Sequence, residues 1–448
     1  MLVAIYIIAF VVAVFILVLV HECGHFLAAR CCNVKVERFS LGFGKPLYKW
    51  RRNESGTEYV IAPILLGGYV KFLDTRETKQ QCANAFDRKP ILQRLVIIMA
   101  GPIANVLLAM VMFWVINIHG FVLPKPIIGK IMSNSIASLT AMQPGQEIIA
   151  IDQRKTSSWE DVIVGLFARL GDNTNLHITT RSLTQTHTYN LKLKNWHSDT
   201  YAPNPLLDFG IVPYTPKVLP IINDVVKNSP AEKFGLLKND RIIAVAGKRI
   251  NNWEDFIKLV QQYPEQKLQL QLIRAGKAIN LTVLTDWKFG VGLQKIGFLG
   301  VGSLPIVWPK SMLREYKYAP WPALKVAWQK ILLYVDLNYI VFSKLITGKI
   351  SFNILGGPIS IFTASGQALG QGLIMFLKFL AIISLSLALI NLLPLPGLDG
   401  GYIILLLIEA IMRKPLSMRL QLLILRLGII FFVVLILQVT LNDLQRMF

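Results

Sequence analysis

Charge is scarce in this 448-residue chain: Asp, Glu, Lys and Arg make up 16% of it, against 53% hydrophobic residues. That balance excludes an ordinary soluble globular fold. Four stretches, 1–20, 95–123, 379–398 and 427–442, hold none of the four charged types. Since about 20 apolar residues cross a hydrocarbon core, they predict three transmembrane helices and a shorter fourth. Cysteine is nearly missing too. Its four copies, Cys23, Cys31, Cys32 and Cys82, leave the long segment between the second and third spans with none, so its domains must stand on apolar cores without disulfides.

Acidic charge is the scarcer sign, with 26 Asp and Glu against 47 Lys and Arg, a net charge of +21. A nucleic-acid binder would carry that excess on a folded soluble face. Here much of it flanks the apolar spans, so membrane lipid is the expected neighbour and nucleic acid is not. Between Arg30 and Arg94, 13 Lys or Arg stand against 6 Asp or Glu, and Arg413, Lys414, Arg419 and Arg426 precede the last apolar stretch. The positive-inside rule then places both short loops in the cytoplasm, with both termini and the segment from His119 to about Gly370 outside. The first span has neither a basic leader nor a small-residue cleavage site, and reads as a retained anchor.

The outside segment contains a repeat. Aligning 126–163 with 220–257, at an offset of 94 without gaps, gives 13 identities in 38 positions, among them Pro-Ile-Ile, Asn-Ser, Ile-Ile-Ala and Trp-Glu-Asp. This is a duplicated domain. Each copy reads as a strand, an Asn-Ser helix start, a turn, a second β-rich run and a helix after Trp-Glu-Asp. The second copy, from Asn228, Ser229 and Pro230 through Gly235 and Leu236 to Asp240 and Gly247, resembles the bacterial PDZ domain, and the first is a more divergent relative. The resemblance implies capture of an exposed peptide chain end as an added strand, with carboxylate-cradling loops at Gly210 and Gly300. The alternative is a folded spacer that only blocks access.

The predicted architecture is a polytopic α-helical membrane protein of about four transmembrane helices with an inserted tandem of two β-rich PDZ-like domains. The expected order is a first span over 1–30, a cytoplasmic loop with a β-hairpin over 31–94, a second span over 95–120, and the two copies over 121–214 and 215–304. An amphipathic or re-entrant membrane-surface region over 305–371 follows. A third span over 372–398, a cytoplasmic loop over 399–422 and a fourth span over 423–448 complete it.

The chemistry is concentrated at His21, Glu22, Cys23, Gly24 and His25. On a helix, residues four apart share a face, so two imidazoles can grip one zinc ion while Glu22 reaches the water it activates. With 6 His and 12 Glu in the chain, a chance His-Glu-any-any-His arises with a probability of roughly 0.2%. The motif directly follows a charge-free span, where ionisable groups are costly unless they pair, bind metal or meet water. Cys23 lies about 200° around the helix from His21 and is expected to pack away from the metal. A catalytic zinc needs one more protein ligand. The segment from Asn391 through Pro394, Pro396 and Gly397 to Asp399, Gly400 and Gly401 places one carboxylate behind 20 uncharged residues, and its prolines prevent a regular helix. Asp399 is therefore either the third ligand or a helix-start cap. Asn391 either hydrogen-bonds a substrate backbone or joins two helices.

An N-terminal membrane-embedded His-Glu-any-any-His, a distant Asn-any-any-Pro-any-Pro-any-any-Asp-Gly and two PDZ-like copies between them resemble the site-2 protease family. Gly42-Phe43-Gly44, the hairpin-like 59–74 with Gly67-Gly68-Tyr69, and Gly101-Pro102 with Asn105 extend that resemblance over nearly the whole chain. It implies an intramembrane zinc endopeptidase, one zinc per chain, held by His21, His25 and Asp399 with Glu22 as base. The implied substrates are single-pass membrane proteins of the anti-sigma-factor type, or remnant signal peptides, and the implied location is the bacterial inner membrane. Substrate helices must be unwound to be cut, and the strand over 65–72, with Gly67, Gly68 and Tyr69, could pair with the opened chain or serve as a structural hairpin. The rival reading from another class is a membrane-tethered tandem-PDZ adaptor with a non-catalytic metal. It is disfavoured because a structural zinc closes its four ligands with protein groups, whereas three are offered here.

Overall fold

The computed structural model describes all residues except 1, 54–55, 79–81, 183–184, 194–195, 197–203, 290–293, 415 and 448. It divides into two compact units, one formed by Met1–Val122 with Glu315–Asp443 and the other built on Leu123–Arg314.

The first unit begins with helix α1, Leu2–Cys31, whose sequence is apolar all round until His21. Strands β1 (Val36–Phe43), β2 (Tyr48–Arg51), β3 (Glu58–Ile61) and β4 (Ile64–Phe72) follow, and then helix α2, Ile91–His119. After residue 314 come helices α3 (Pro320–Ile346), α4 (Pro358–Gly370), α5 (Leu373–Asn391), α6 (Asp399–Met412) and α7 (Met418–Met447). Four of these, α1, α2, α5 and α7, are long and apolar enough to cross a membrane.

The helices meet on small residues. Ala9 and Ala13 of α1, Ala109 of α2, Ala327 of α3 and Ala381 of α5 are buried in one cluster with Leu17, Phe113, Ile331 and Leu385. Lipid tails are as apolar as leucine, so close backbone approach rather than hydrophobic burial drives this association. The large side chains of α7, such as Phe431, Val434 and Leu437, are exposed.

Three elements differ from the sequence expectation. Strands β3 and β4 do not form a hairpin with each other; the sheet order is β2-β3-β1-β4, with β3 parallel and β4 antiparallel to β1. The link at Ala62 and Pro63 crosses the end of β1 at Gly42. There φ is +94°, and a Cβ would lie 2.6 Å from the Ala62 carbonyl oxygen, so only glycine permits the crossing. Helix α3 turns Ala323, Ala327, Ile331 and Tyr334 inward, with Phe113 stacked on Tyr334, and packs along α2 and α5 instead of lying as a surface helix. Finally, the loop expected over 399–422 is helical from Asp399 to Met412.

The second unit carries the duplication into three dimensions. The strands Glu147–Ile151, Arg154–Lys155, Asn175–Arg181 and Thr186–Lys192 form a sheet, and Arg241–Val245, Lys248–Arg249, Lys267–Arg274 and Lys277–Leu284 form another with the same order. Even the register shifts correspond, at Ile148/Ala150 and Ile242/Ala244. The helices Trp159–Phe167 and Trp253–Gln261 begin at the two Trp-Glu-Asp sequences, capped by Ser158 and Asn252. Each copy adds a two-stranded ribbon, Ile128–Ile131 with Ile211–Pro213 and Ile222–Val225 with Val301–Ser303.

Candidate active site

His21 and His25 leave the same face of α1, and their Nε2 atoms stand 3.2 Å apart. Asp399 Oδ2 lies 3.2 Å from the first and 3.4 Å from the second. Three candidate ligand atoms thus form a nearly equilateral triangle. Tetrahedral zinc, with bonds of 2.0–2.1 Å, holds its ligand atoms about 3.3 Å apart, so one face of its coordination sphere matches. Apart from the two ring nitrogens, the buried Asp399 Oδ2 has no partner among the described residues. A carboxylate oxygen is costly to bury that way unless a cation takes it. The donor set therefore fits a zinc ion and leaves the fourth position open, the pattern of a catalytic site.

Local sequence explains the convergence. Helices α1 and α2 touch through glycine: a Cβ on Gly24 would lie 2.3 Å from the Ala100 carbonyl oxygen, and one on Gly101 would lie 2.3 Å from His25 Nε2. That approach brings the Ile97 carbonyl to His25 Nδ1 at 2.9 Å. A carbonyl only accepts, so Nδ1 carries the proton and the Nε2 lone pair faces the triangle. On the other side, α5 stops at Asn391, three residues before Pro394. The chain turns at Gly397 (φ +92°), and Asp399 opens α6. A Cβ on Gly400 would lie 2.1 Å from the Leu393 carbonyl oxygen, so the turn closes tightly on the start of α6 and fixes the carboxylate.

Glu22 is buried and lines a cavity of about 970 Å³ together with Val18, Asn391 and Asp399. Gly67, Gly68 and Tyr69 of β4 line the same cavity. A Cβ on Gly68 would lie 2.9 Å from Glu22 Cγ and 2.6 Å from the Ser40 carbonyl oxygen, so the strand passes directly against Glu22. Tyr69 stacks on Phe43 with ring centroids 6.3 Å apart, and its hydroxyl accepts from Arg38 Nη1 at 3.2 Å. Asn391 Nδ2 is 3.5 Å from His21 Nε2. Outside the spans, burial alone would raise the Asp74 carboxyl at the cavity edge. The Arg76 side chain and backbone N–H outweigh burial and hold it below the usual carboxylate range.

The structure thus gathers Glu22, His21, His25, Asp399, Asn391, Gly67, Gly68 and Tyr69 around one cavity, and Cys23 does not line it. Gly210 and Gly300 belong to the second unit. Their φ values are +96° and +82°, and a Cβ on either would strike the serine of its own copy's Asn-Ser, Ser135 or Ser229. Sequence reasoning did not find the Ile97 carbonyl, the packing roles of Gly24 and Gly101, or the buried bidentate pair Arg94–Glu409 that ties α2 to α6 (2.6 and 3.1 Å). Nor did it give Asn105 a role, although an amide inside a charge-free span was a visible signal.

The model of Peptidase family M50 matches residues 9–435. The regulator of sigma-E protease RseP of Escherichia coli (strain K12) is 39% identical over 444 residues, covering 98% of each chain. The regulator of sigma E protease of Haemophilus influenzae is 37% identical over 443 residues, again 98% of each. Among solved structures, the PDZ domain of an SdrC-like protein from Listeria monocytogenes covers 21% of this chain and 92% of its own, at 14% identity and a TM-score of 0.16. A family match spanning both the His21–His25 motif and Asp399, joined to full-length relatives, leaves one assignment: the chain belongs to peptidase family M50, the site-2 proteases.

Proposed function

We propose that this protein is a zinc endopeptidase of the bacterial inner membrane that cuts within the transmembrane segment of single-pass proteins of the anti-sigma-factor type, or of remnant signal peptides. Cleavage frees a cytosolic fragment for a sigma-E stress response. The observation that carries this reading is the His21, His25 and Asp399 triangle, with edges of 3.2–3.4 Å, opening beside Glu22 in a cavity among apolar helices. One zinc per chain held there would polarise the scissile carbonyl and bring a water toward ionisation near neutral pH. Glu22 takes the proton of the attacking water and delivers it to the leaving amine.

An intact substrate helix has its carbonyls satisfied within itself, so it must be extended before it can react. Among the described residues, strand β4 ends the sheet order with only β1 beside it. Its free edge at Gly67, Gly68 and Tyr69 can supply replacement hydrogen bonds to an opened chain, while Asn391 holds that chain near the metal. The charge distribution supports a zinc site toward the cytoplasm, with both termini and the duplicated unit in the periplasm. The two copies act as tandem PDZ domains taking exposed chain ends at Gly210 and Gly300. In support, each glycine immediately precedes a strand paired on one side only among the described residues.

Purified protein in detergent, mixed with a model single-span substrate, tests the reading. Cleavage is expected; a zinc chelator should abolish it, and Glu22→Gln should lower it by about 10²–10⁴-fold. Cutting that survives the chelator would overturn the metal assignment, and a Gln variant that cuts at the wild-type rate would overturn the base.

A further inference from the structure

The two histidines are held by unequal partners. His25 Nδ1 meets a backbone carbonyl, which settles its tautomer. His21 Nδ1 meets the side-chain amide of Asn105 at 3.4 Å, and an amide can either donate or accept. Asn105 is fully buried on α2, and its Oδ1, as placed, has no hydrogen-bond partner among the described residues. The oxygen and nitrogen of an amide have nearly the same shape, so their assignment must come from the neighbours.

With the amide nitrogen toward the ring, His21 Nδ1 has to accept. The ring proton then sits on Nε2, the atom that lies 3.2 Å from both His25 Nε2 and Asp399 Oδ2. A protonated nitrogen there cannot be a ligand. With the oxygen toward the ring, Nδ1 donates and the Nε2 lone pair joins the triangle. Either orientation leaves one amide atom without a described partner, so hydrogen-bond satisfaction does not choose between them. The ligand set does.

We infer that Asn105 is a positioning residue whose carbonyl oxygen accepts the Nδ1 proton of His21, fixing the tautomer and plane of that ring for zinc. This rests on the zinc reading above. The residue is itself anchored from the other side of the site: Ser384 Oγ of α5 donates to the Asn105 backbone carbonyl at 2.8 Å. The helix that leads to Asn391 and Asp399 therefore also holds the residue that orients His21. Partners of this kind typically change metal affinity 10–100-fold when removed.

The test compares full-length wild type, Asn105→Asp and Asn105→Leu in detergent, by zinc content against chelators of graded strength and by thermal melting. Asp keeps an acceptor oxygen and should hold zinc within a few-fold of wild type. Leu, of nearly the same size, should weaken zinc about 10–100-fold, with activity regained at excess zinc. Asn105→Ala, which removes the acceptor without adding bulk, serves if the Leu variant melts early. Equal affinity in wild type and the acceptor-free variants would overturn the inference, as would equal loss in Asp and Leu. Wild type that holds no zinc would instead sink the metal reading itself.

Discussion

The two units bury polar groups for opposite ends. In the duplicated unit the buried carboxylates among the described residues are all partnered. Glu147 takes Arg181 and Arg314, Asp161 takes Ser157 and Ser158, and the fully buried Asp240 takes Arg274 and the Leu237 backbone. In the membrane unit a carboxylate breaks the pattern: Asp399 Oδ2 is buried with no partner but the two ring nitrogens, and one atom of the Asn105 amide against His21 has none. Elsewhere among the described residues only Arg94 Nε, on a guanidinium already paired with Glu409, and the Trp196 indole N–H of the duplicated unit are left so. Burial of a charge is therefore no sign of function here; a buried carboxylate oxygen that meets only two imidazole nitrogens is, because a cation held between them would satisfy it. One aspartate from each unit makes the contrast testable. Asp399→Asn should lose zinc on dialysis and lose all cleavage, while the metal-free variant melts no earlier than metal-free wild type. Asp240→Asn should do the reverse. It strands Arg274, whose side chain is 30% exposed, so the cost is on the order of 2 kcal/mol rather than the 3–5 of a fully buried pair. Hydrogen exchange in the second copy reads that loss, and cleavage should be unaffected. Melting of metal-free Asp399→Asn below metal-free wild type would show that the carboxylate is structural and erase the contrast.

Glu22 should separate chemistry from metal retention within the membrane unit. Glu22→Gln keeps size and hydrogen-bonding capacity but cannot take a proton. It is expected to lower cleavage by about 10²–10⁴-fold with zinc content and melting unchanged. Loss of zinc along with activity would mean that Glu22 helps to hold the ion, and the division of labour would need redrawing.

How much of this was legible in the sequence follows from how far each signal reaches along the chain. His21, Glu22 and His25 sit within five residues, and helical periodicity alone puts the imidazoles on one face. Asp399 was legible because a lone carboxylate behind 20 uncharged residues needs a reason. The duplication was legible because 13 matched positions keep one offset. The crossing of β3 and β4 over β1 was not, since a hairpin and a crossover share the same alternation and differ only in the room that Gly42 makes. Helix α6 reads as a loop in the sequence because the basic residues after it dominate the pattern, and its second acid, Glu409, finds Arg94 only in three dimensions. Helix α3 hid its small-residue face behind Lys325 and Lys330.

The approach of β4 to Glu22 gives the next smaller effect. A Cβ on Gly68 would meet the Ser40 carbonyl oxygen at 2.6 Å, and backbone cannot swing aside. Gly68→Ala should displace the edge strand from Glu22 and cost about 100-fold in kcat/KM while zinc content stays at the wild-type level. An unchanged rate would mean that the strand does not position substrate, leaving the sheet a structural role only.

Gly300→Ala carries the comparison to its weakest expected effect. At φ +82° an L residue is strained, and the new Cβ would lie 2.3 Å from Ser229 Cβ. The second copy should lose about 1–3 kcal/mol of local stability, visible as faster hydrogen exchange along Val301–Ser303 and Ile222–Val225. A single-span substrate without an outer domain offers the duplicated unit no chain end to take. Its cleavage rate in detergent should therefore stay within about twofold of wild type, because the His21, His25 and Asp399 triangle draws on no residue of that unit. A substrate bearing a free outer chain end is the complementary case: if the loop at Gly300 captures it, only that cleavage slows. A fall in both rates would show that the duplicated unit holds the membrane site in its working state, and the two units would then have to be treated as one.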